Sequence, residues 1–362
     1  MNPILKQLMG QASRLTLAGD LGAATAAIQE ALARTASPTH PGAAPPTSFR
    51  RPDLSVIDVV AREVAPSTDD QPAAQDAPTH DAGRFLSGRH TDAIGTRDYK
   101  LYVPPGYTGQ PLPLVVMLHG CTQDPDDFAA GTGMNAAAQA EGFFVLYPAQ
   151  TQHANAQRCW NWFKHNHQTR DRGEPALIAN MVRAVMQRYR IDPDRVHVAG
   201  LSAGGAMAAI IGAAYPDLFS AVGVHSGLPA GSATDLSGAL MAMKNGGRAP
   251  AVKQAHALPT IVFHGDRDST VHPVNGDHLI AAAAASTTVE QEKARPANGH
   301  AYTRRVHRDG EGRVVAEQWV VHGAGHAWSG GRAQGTYTDA QGPDATLAML
   351  RFFKAHARRA RP

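Results

Sequence analysis

Cysteine is nearly absent: Cys121 and Cys159 are the only two in 362 residues, which excludes a disulfide framework and leaves room for at most one bridge. Long apolar runs are missing too. None approaches the roughly 18 residues that a membrane span needs, so no span is expected. Neither sign of charge dominates, since 34 Lys and Arg against 31 Asp and Glu leave a formal net charge of +3. Apart from Arg358-Arg359-Ala360-Arg361, which reads as the solvated end of a helix, the basic residues are scattered; nucleic-acid binding is disfavoured. The 18 His show no His-Glu-x-x-His pair and the cysteines lack zinc-site spacing, so neither a metal nor another cofactor is expected. Met1 to Met9 has no uninterrupted apolar core and no small-residue cleavage site, which favours a cytoplasmic location.

What is present divides the chain in three. Over residues 1–36, Leu5, Leu8, Met9, Ala12 and Leu15 follow helical spacing, Gly19 stops the helix, and Asp20 caps a second helix carrying Ala24, Ile28 and Leu32. This predicts a helical hairpin, either a short appendage or a docking element for a partner or a polymer surface. Residues 37–82 are rich in Pro, Ala, Thr, Ser and Asp, too polar to bury the apolar area that offsets chain entropy, and read as a disordered linker. Leu54 to Val60 is a short strand or transient helix within it.

From residue 83 to 362, apolar strands alternate with helices. Strands are expected at Phe85–His90, Arg97–Pro104, Leu112–Leu118, Phe143–Pro148, Phe219–His225 and Thr260–His264. Helices are expected at Asp126–Glu141, closed by Gly142, and at Glu174–Arg190, followed by a turn over Ile191–Asp194. Tyr302–Arg308 and Arg313–Val321 flank Asp309-Gly310-Glu311-Gly312 as a hairpin, and Asp344–Ala357 closes as a helix. The fold class is α/β: a doubly wound, mostly parallel sheet with an antiparallel element or two at its edge.

The chemistry concentrates in one stretch. Val196-His197-Val198-Ala199 enters Gly200-Leu201-Ser202-Ala203-Gly204-Gly205, and Ala206 to Ile211 leaves it in helix-forming residues. A serine on such a strand-turn-helix elbow takes strained backbone angles, and glycines on either side remove the Cβ atoms that would clash. Ser202 is therefore the candidate nucleophile. A serine hydroxyl needs an imidazole to take its proton and a carboxylate to hold that imidazole, and in doubly wound sheets such groups gather at the carboxyl ends of strands. Two loops qualify. After Thr260–Phe263, His264-Gly265-Asp266-Arg267-Asp268 offers Asp268, with Asp266 in reserve; after Gln318–Val321, His322-Gly323-Ala324-Gly325-His326 offers His326. The order Ser, Asp, His is that of α/β-hydrolases. An oxyanion needs preset backbone donors, which the amides of Ala203 and Cys121 are placed to supply, with His119 as support or wall of the site.

Together, His119-Gly120-Cys121-Thr122-Gln123, Cys159-Trp160-Asn161-Trp162-Phe163, Gly200 to Gly205, His264 to Asp268 and Gly325-His326-Ala327-Trp328-Ser329-Gly330-Gly331 resemble the polyhydroxybutyrate depolymerase family of esterases, close to the feruloyl and acetylxylan esterases. The resemblance covers roughly residues 83–356. It implies an α/β-hydrolase fold, a Ser202-Asp268-His326 triad, and ester hydrolysis by water through an acyl-enzyme. It also implies a short-chain poly(3-hydroxyalkanoate), or its oligomers, as substrate, and an extracellular location. The enzymatic alternative is a feruloyl or acetylxylan esterase; the non-enzymatic one is a polymer- or partner-binding protein with a vestigial site. Trp160, Trp162 and Trp328 are read as substrate-facing rings, although the Cys159–Phe163 stretch fits the core of a loop equally well. A bridge from Cys121 to Cys159, pinning that loop to the oxyanion loop, is one of the two states open to the cysteines.

Overall fold

Parallel strands with apolar side chains on both faces need helices on both faces, and this governs the architecture. The computed structural model describes residues 83–247, 257–284 and 288–358. The hairpin and linker expected over residues 1–82 lie outside these.

Ten strands form one sheet in the order β1-β2-β4-β3-β5-β6-β7-β10-β9-β8. They are β1 (Arg84–Thr91), β2 (Thr96–Val103), β3 (Leu112–Leu118), β4 (Phe144–Pro148), β5 (Ile191–Leu201), β6 (Ala221–His225), β7 (Thr260–Gly265), β8 (Thr288–Ala294), β9 (Tyr302–Arg308) and β10 (Val314–Val321). Neighbours from β4 through β3, β5, β6 and β7 to β10 run parallel, while β1 and β2 on one side and β9 and β8 on the other are antiparallel. Both edges are thus antiparallel.

Period-two alternation divides the core. Leu114, Val116 and Leu118 face one apolar cluster beneath α3 (Gly173–Arg188), α4 (Ala203–Ala214), α5 (Leu236–Asn245) and α6 (Val274–Ala283). Val115 and Met117 face the other, beneath α1 (Pro125–Thr132), α2 (Met134–Glu141) and α7 (Ala345–Ala355). A short second sheet pairs β11 (Trp328–Ser329) with β12 (Thr338–Asp339).

Two expectations need correction, and one strand lies outside those the sequence predicts. The single helix over Asp126–Glu141 is two, because Gly133 adopts φ 65°, caps α1 through its amide to the Ala129 carbonyl, and starts α2 at a new angle. The turn over Ile191–Asp194 belongs to β5, which reaches back to pair Ile191 with Leu112 across an irregular step in register. The edge strand β8 has no apolar alternation. It is held instead by cross-strand contacts such as Arg308 with Glu290 and Arg304 with Glu292, so periodicity does not reveal it.

Candidate active site

Parallel strands place their carboxyl ends at one edge. Ser202 follows β5, Asp268 follows β7 and His326 follows β10, and with β6 between the first two, these strands are consecutive in the sheet.

Ser202 adopts φ 58° and ψ −119°, outside the regions that non-glycine residues favour, at a cost of about 1–3 kcal/mol. The surroundings hold it there. Its amide donates to the His225 carbonyl at 2.9 Å, and its carbonyl accepts from Ala206 in the first turn of α4. A Cβ at Gly204 would overlap the Leu118 carbonyl and lie 2.6 Å from that of His119, while one at Gly200 would lie 2.7 Å from the Leu118 oxygen. The elbow can pass β3 only because both positions are glycine.

The carboxylate of Asp268 is fully buried. Its Oδ1 accepts from the amides of Thr270 and Val271 at 2.9 and 2.8 Å; its Oδ2 lies 2.7 Å from His326 Nδ1 and 3.4 Å from His264 Nε2. Burial alone would raise its pKa, but the hydrogen bonds from His264 and His326, the charge of His326 and the Val271 amide hold it well below the usual carboxylate range. Asp266 engages differently: it accepts from the Gly323 amide at 2.7 Å and meets His322 Nδ1 at 2.8 Å, both side chains being more than a third exposed. The two acids thus hold two separate histidines.

The Cys121 amide is aimed by its neighbours. His119 is 1% exposed. Its Nε2 lies 3.1 Å from the Gln150 amide, which can only donate, so Nδ1 carries the ring proton and donates to the Gly120 carbonyl at 2.7 Å. Burial lowers the His119 pKa to about 4 and keeps the ring neutral in that tautomer. The Gly120–Cys121 peptide is planar, so fixing its carbonyl turns the Cys121 N–H to the opposite side. The same loop runs against Ser202, since a Cβ at Gly120 would lie 3.7 Å from Ser202 Cβ. The Ala203 amide opens α4 and has no acceptor within the helix.

Cys121 and Cys159 are joined by a disulfide, and the Thr122 amide donates to the Gln157 carbonyl at 2.6 Å, so the Cys121 loop and the aromatic loop are tied together twice. Glu174 anchors the far side of that loop. Its buried carboxylate accepts from Gln150 Nε2 at 2.6 Å and from the Asn161 amide and Nδ2 at 2.7 and 2.8 Å. Burial opposes its charge, but the nearby His167 and the hydrogen bonds from Gln150 and Asn161 prevail and lower its pKa.

The aromatic residues are placed otherwise than as substrate-facing rings. Trp160 and Trp162 belong to one core cluster and Trp328 to the other, at 0, 4 and 1% exposure. The reason is area: these rings bury more apolar surface inside the loops than they could cover at a site mouth. His119 likewise lies against Trp160, the rings tilted at 48°, and supports the loop rather than facing outward. Sequence reasoning missed His264, His225, Gln150 and Glu174 as parts of this edge. The one available signal was a histidine closing an apolar strand at the carboxyl end, which holds for His225 and His264.

Residues 97–300 match the family described as Esterase PHB depolymerase. The chain belongs to that family. It is 32% identical over 237 residues to poly(3-hydroxyalkanoate) depolymerase C of Paucimonas lemoignei, covering 62% of this chain and 57% of that protein. It is 32% identical over 199 residues to a probable acetylxylan esterase A of Aspergillus fumigatus, covering 50% of this chain and 52% of that one. The chain therefore spans a little over half the length of these relatives. In fold it resembles the acetyl xylan esterase from Aspergillus awamori, with a TM-score of 0.57 and 21% identity over 75% of this chain and 99% of that one. The shared architecture is the α/β-hydrolase fold. Among the described residues, no helix is long and apolar enough to cross a membrane, and no group of three or more His, Cys, Asp or Glu is placed to hold a metal ion.

Proposed function

We propose that this chain is a serine carboxylic-ester hydrolase with Ser202 as nucleophile, His326 as general base and acid, and Asp268 as the carboxylate that orients His326. The observation that carries the reading is the 2.7 Å contact of His326 Nδ1 with the buried Asp268 carboxylate, at the sheet edge that also presents the strained Ser202. With Nδ1 engaged, Nε2 is the nitrogen left to take the serine proton. Ser202 Oγ then attacks the ester carbonyl, and the amides of Cys121 and Ala203 receive the charge that develops on its oxygen. The alcohol departs with the proton from His326. Water, deprotonated by the same ring, releases the acid and restores the serine.

The substrate class we infer is a short-chain poly(3-hydroxyalkanoate) or its oligomers, supported by the family match and by the depolymerase relative from Paucimonas lemoignei. A small acyl ester on a plant polysaccharide is the second reading, supported by the acetylxylan esterase relative and by the likeness to a whole solved esterase chain. Hydrolysis of hydroxybutyrate oligomers, amorphous polyhydroxybutyrate, acetylated xylan and methyl ferulate by wild type and Ser202→Ala separates them. Serine-dependent turnover of the first two supports the polyester reading. Turnover confined to acetylated xylan or ferulate moves the substrate and keeps the mechanism, and equal behaviour of the two proteins on every ester rejects both readings.

A further inference from the structure

His225 closes β6 at the edge where the site forms, and it touches both halves of the proposed catalytic pair. Its carbonyl accepts the Ser202 amide at 2.9 Å. Its ring Nε2 lies 2.9 Å from the amide of Ser329, three residues beyond His326. An amide nitrogen can only donate, so Nε2 must be the unprotonated nitrogen and Nδ1 carries the hydrogen, directed at Ser226 Oγ 3.2 Å away. The ring is 1% exposed and stacked between Phe263, with centroids 5.7 Å apart at 19°, and Trp328, 5.2 Å apart at 27°.

His225 thus fastens the nucleophile's backbone and the segment just beyond the histidine's loop to one residue. The loop from Gly323 to Ala327 lies between β10 and the short β11, and is held on its acid side by the Gly323 amide to Asp266, the Arg267 amide to the Ala324 carbonyl, and His326 to Asp268. Beyond it, Trp328 and Ser329 are clamped: the indole Nε1 donates to Thr346 at 3.0 Å, Ser329 Oγ donates to the Pro343 carbonyl at 2.6 Å, and the Ser329 amide donates to His225. The first two bonds tie this segment to the start of α7. The third, together with the stacking of Trp328 on His225, ties it to β6, whose His225 carbonyl accepts the Ser202 amide.

The geometry points to His225 as a positioning residue that sets the spacing between Ser202 and His326, acting through a neutral imidazole acceptor for the Ser329 amide. Burial, reinforced by His264 and His326 nearby, lowers its pKa to about 3, so the acceptor lone pair persists across the working range. A base displaced by even an ångström loses on the order of 100-fold in rate, whereas binding of the ester elsewhere in the site is unaffected.

This inference rests on the proposed triad, and two substitutions with a control keep the two apart. His225→Phe preserves the stack with Phe263 and Trp328 but leaves the Ser329 amide unpaired. His225→Gln supplies an amide oxygen to accept that bond but loses most of the stacking. The probe is p-nitrophenyl butyrate, with kcat expressed per folded protein by circular dichroism. His225→Phe should lower kcat about 100-fold with KM within twofold of wild type, and His225→Gln should recover kcat to within tenfold while melting at a lower temperature than the Phe variant. A role in packing alone reverses that order, with Phe near wild type and Gln impaired, and overturns the proposal. If His225→Phe does not fold, a folded His225→Gln that retains kcat within tenfold supports the proposal, and one that loses 100-fold overturns it. Ser202→Ala is the control: if it is as active as wild type, the triad itself fails, whereas an inactive Ser202→Ala beside a fully active His225→Phe rejects only the role of His225.

Discussion

The Oδ2 atom of Asp268 lies 2.7 Å from His326 Nδ1, and the carboxylate that carries it is fully buried, while Asp266 two residues earlier pairs with His322 at the surface. A buried acceptor without water to compete fixes both the tautomer and the tilt of the imidazole; a half-exposed pair holds its ring loosely. Asp268→Asn should therefore lower kcat by about 10³- to 10⁴-fold, the scale seen when a triad carboxylate is neutralised. Asp266→Asn should stay within about threefold of wild type. Steady-state hydrolysis of p-nitrophenyl butyrate by both variants decides it, and a larger loss in the Asp266 variant would hand the role to Asp266 and His322.

The elbow imposes a second asymmetry. A methyl group at Gly204 meets the backbone carbonyls of Leu118 and His119, whereas one at Gly310, in the turn between β9 and β10, has nothing within 4 Å and needs no unusual φ. Gly204→Ala should abolish activity, either by lifting α4 off β3 and displacing Ser202 or by preventing folding. Gly310→Ala should change stability by less than about 0.5 kcal/mol, as open surface positions do. Activity and urea midpoints of the two variants are the test, and full activity in Gly204→Ala would remove the steric account of the elbow.

Much of this edge was legible in the sequence because the chemistry sits on regular punctuation. The elbow announces itself as strand, turn and helix, and the two polar loops each leave an apolar strand. What escaped did so for physical reasons. Gly133 breaks a helix that composition would continue, because only its positive φ, invisible in the pattern, starts a new axis. Strand β8 is nearly all exposed and polar, so it carries no period. Trp160 and Trp328 read as accessible rings because aromatic residues in a loop without periodicity suit either place; packing puts them inside. His225, His264 and Gln150 act through contacts across the sheet, from Gln150 to His119 and from Ser329 to His225, that no local window contains.

Acid should weaken the fold before it touches the carboxylates. Burial lowers the pKa of His119 to about 4 and of His197 and His225 to about 3, against an ordinary value near 6.5. Between those limits the unfolded chain binds protons that the folded one refuses, so stability falls as pH drops below about 6.5, by up to roughly 1.4 kcal/mol per pH unit for each imidazole. Asp268 follows later. Its depressed pKa contributes stability that is complete above the unfolded value of about 4 and is lost only as pH falls further. Urea midpoints at pH 7.5, 6.0 and 5.0 should decline steadily, and a flat profile over that span would show that the buried imidazoles titrate freely.

The disulfide joins stability to catalysis. Cys121 supplies both a sulfur of the bridge and an amide of the proposed oxyanion hole, and the bridge closes a loop of 38 residues that ends at Cys159, next to the core residue Trp160. On the chain-entropy account a loop of that length is worth about 4 kcal/mol, so reduction should lower the urea midpoint markedly. It should also lower kcat, by about tenfold, because the Cys121 amide would lose its covalent anchor and be held by hydrogen bonds such as His119 to Gly120, Gly120 to Gln123 and Thr122 to Gln157. KM should change less, since the substrate's leaving group is not bound through this peptide. Cys159→Ser should show the reduced behaviour without dithiothreitol and should not respond to it. Titration of the denatured, unreduced wild-type protein should find no free thiol; two thiols there would remove the bridge, and with it the expected response of kcat to reduction.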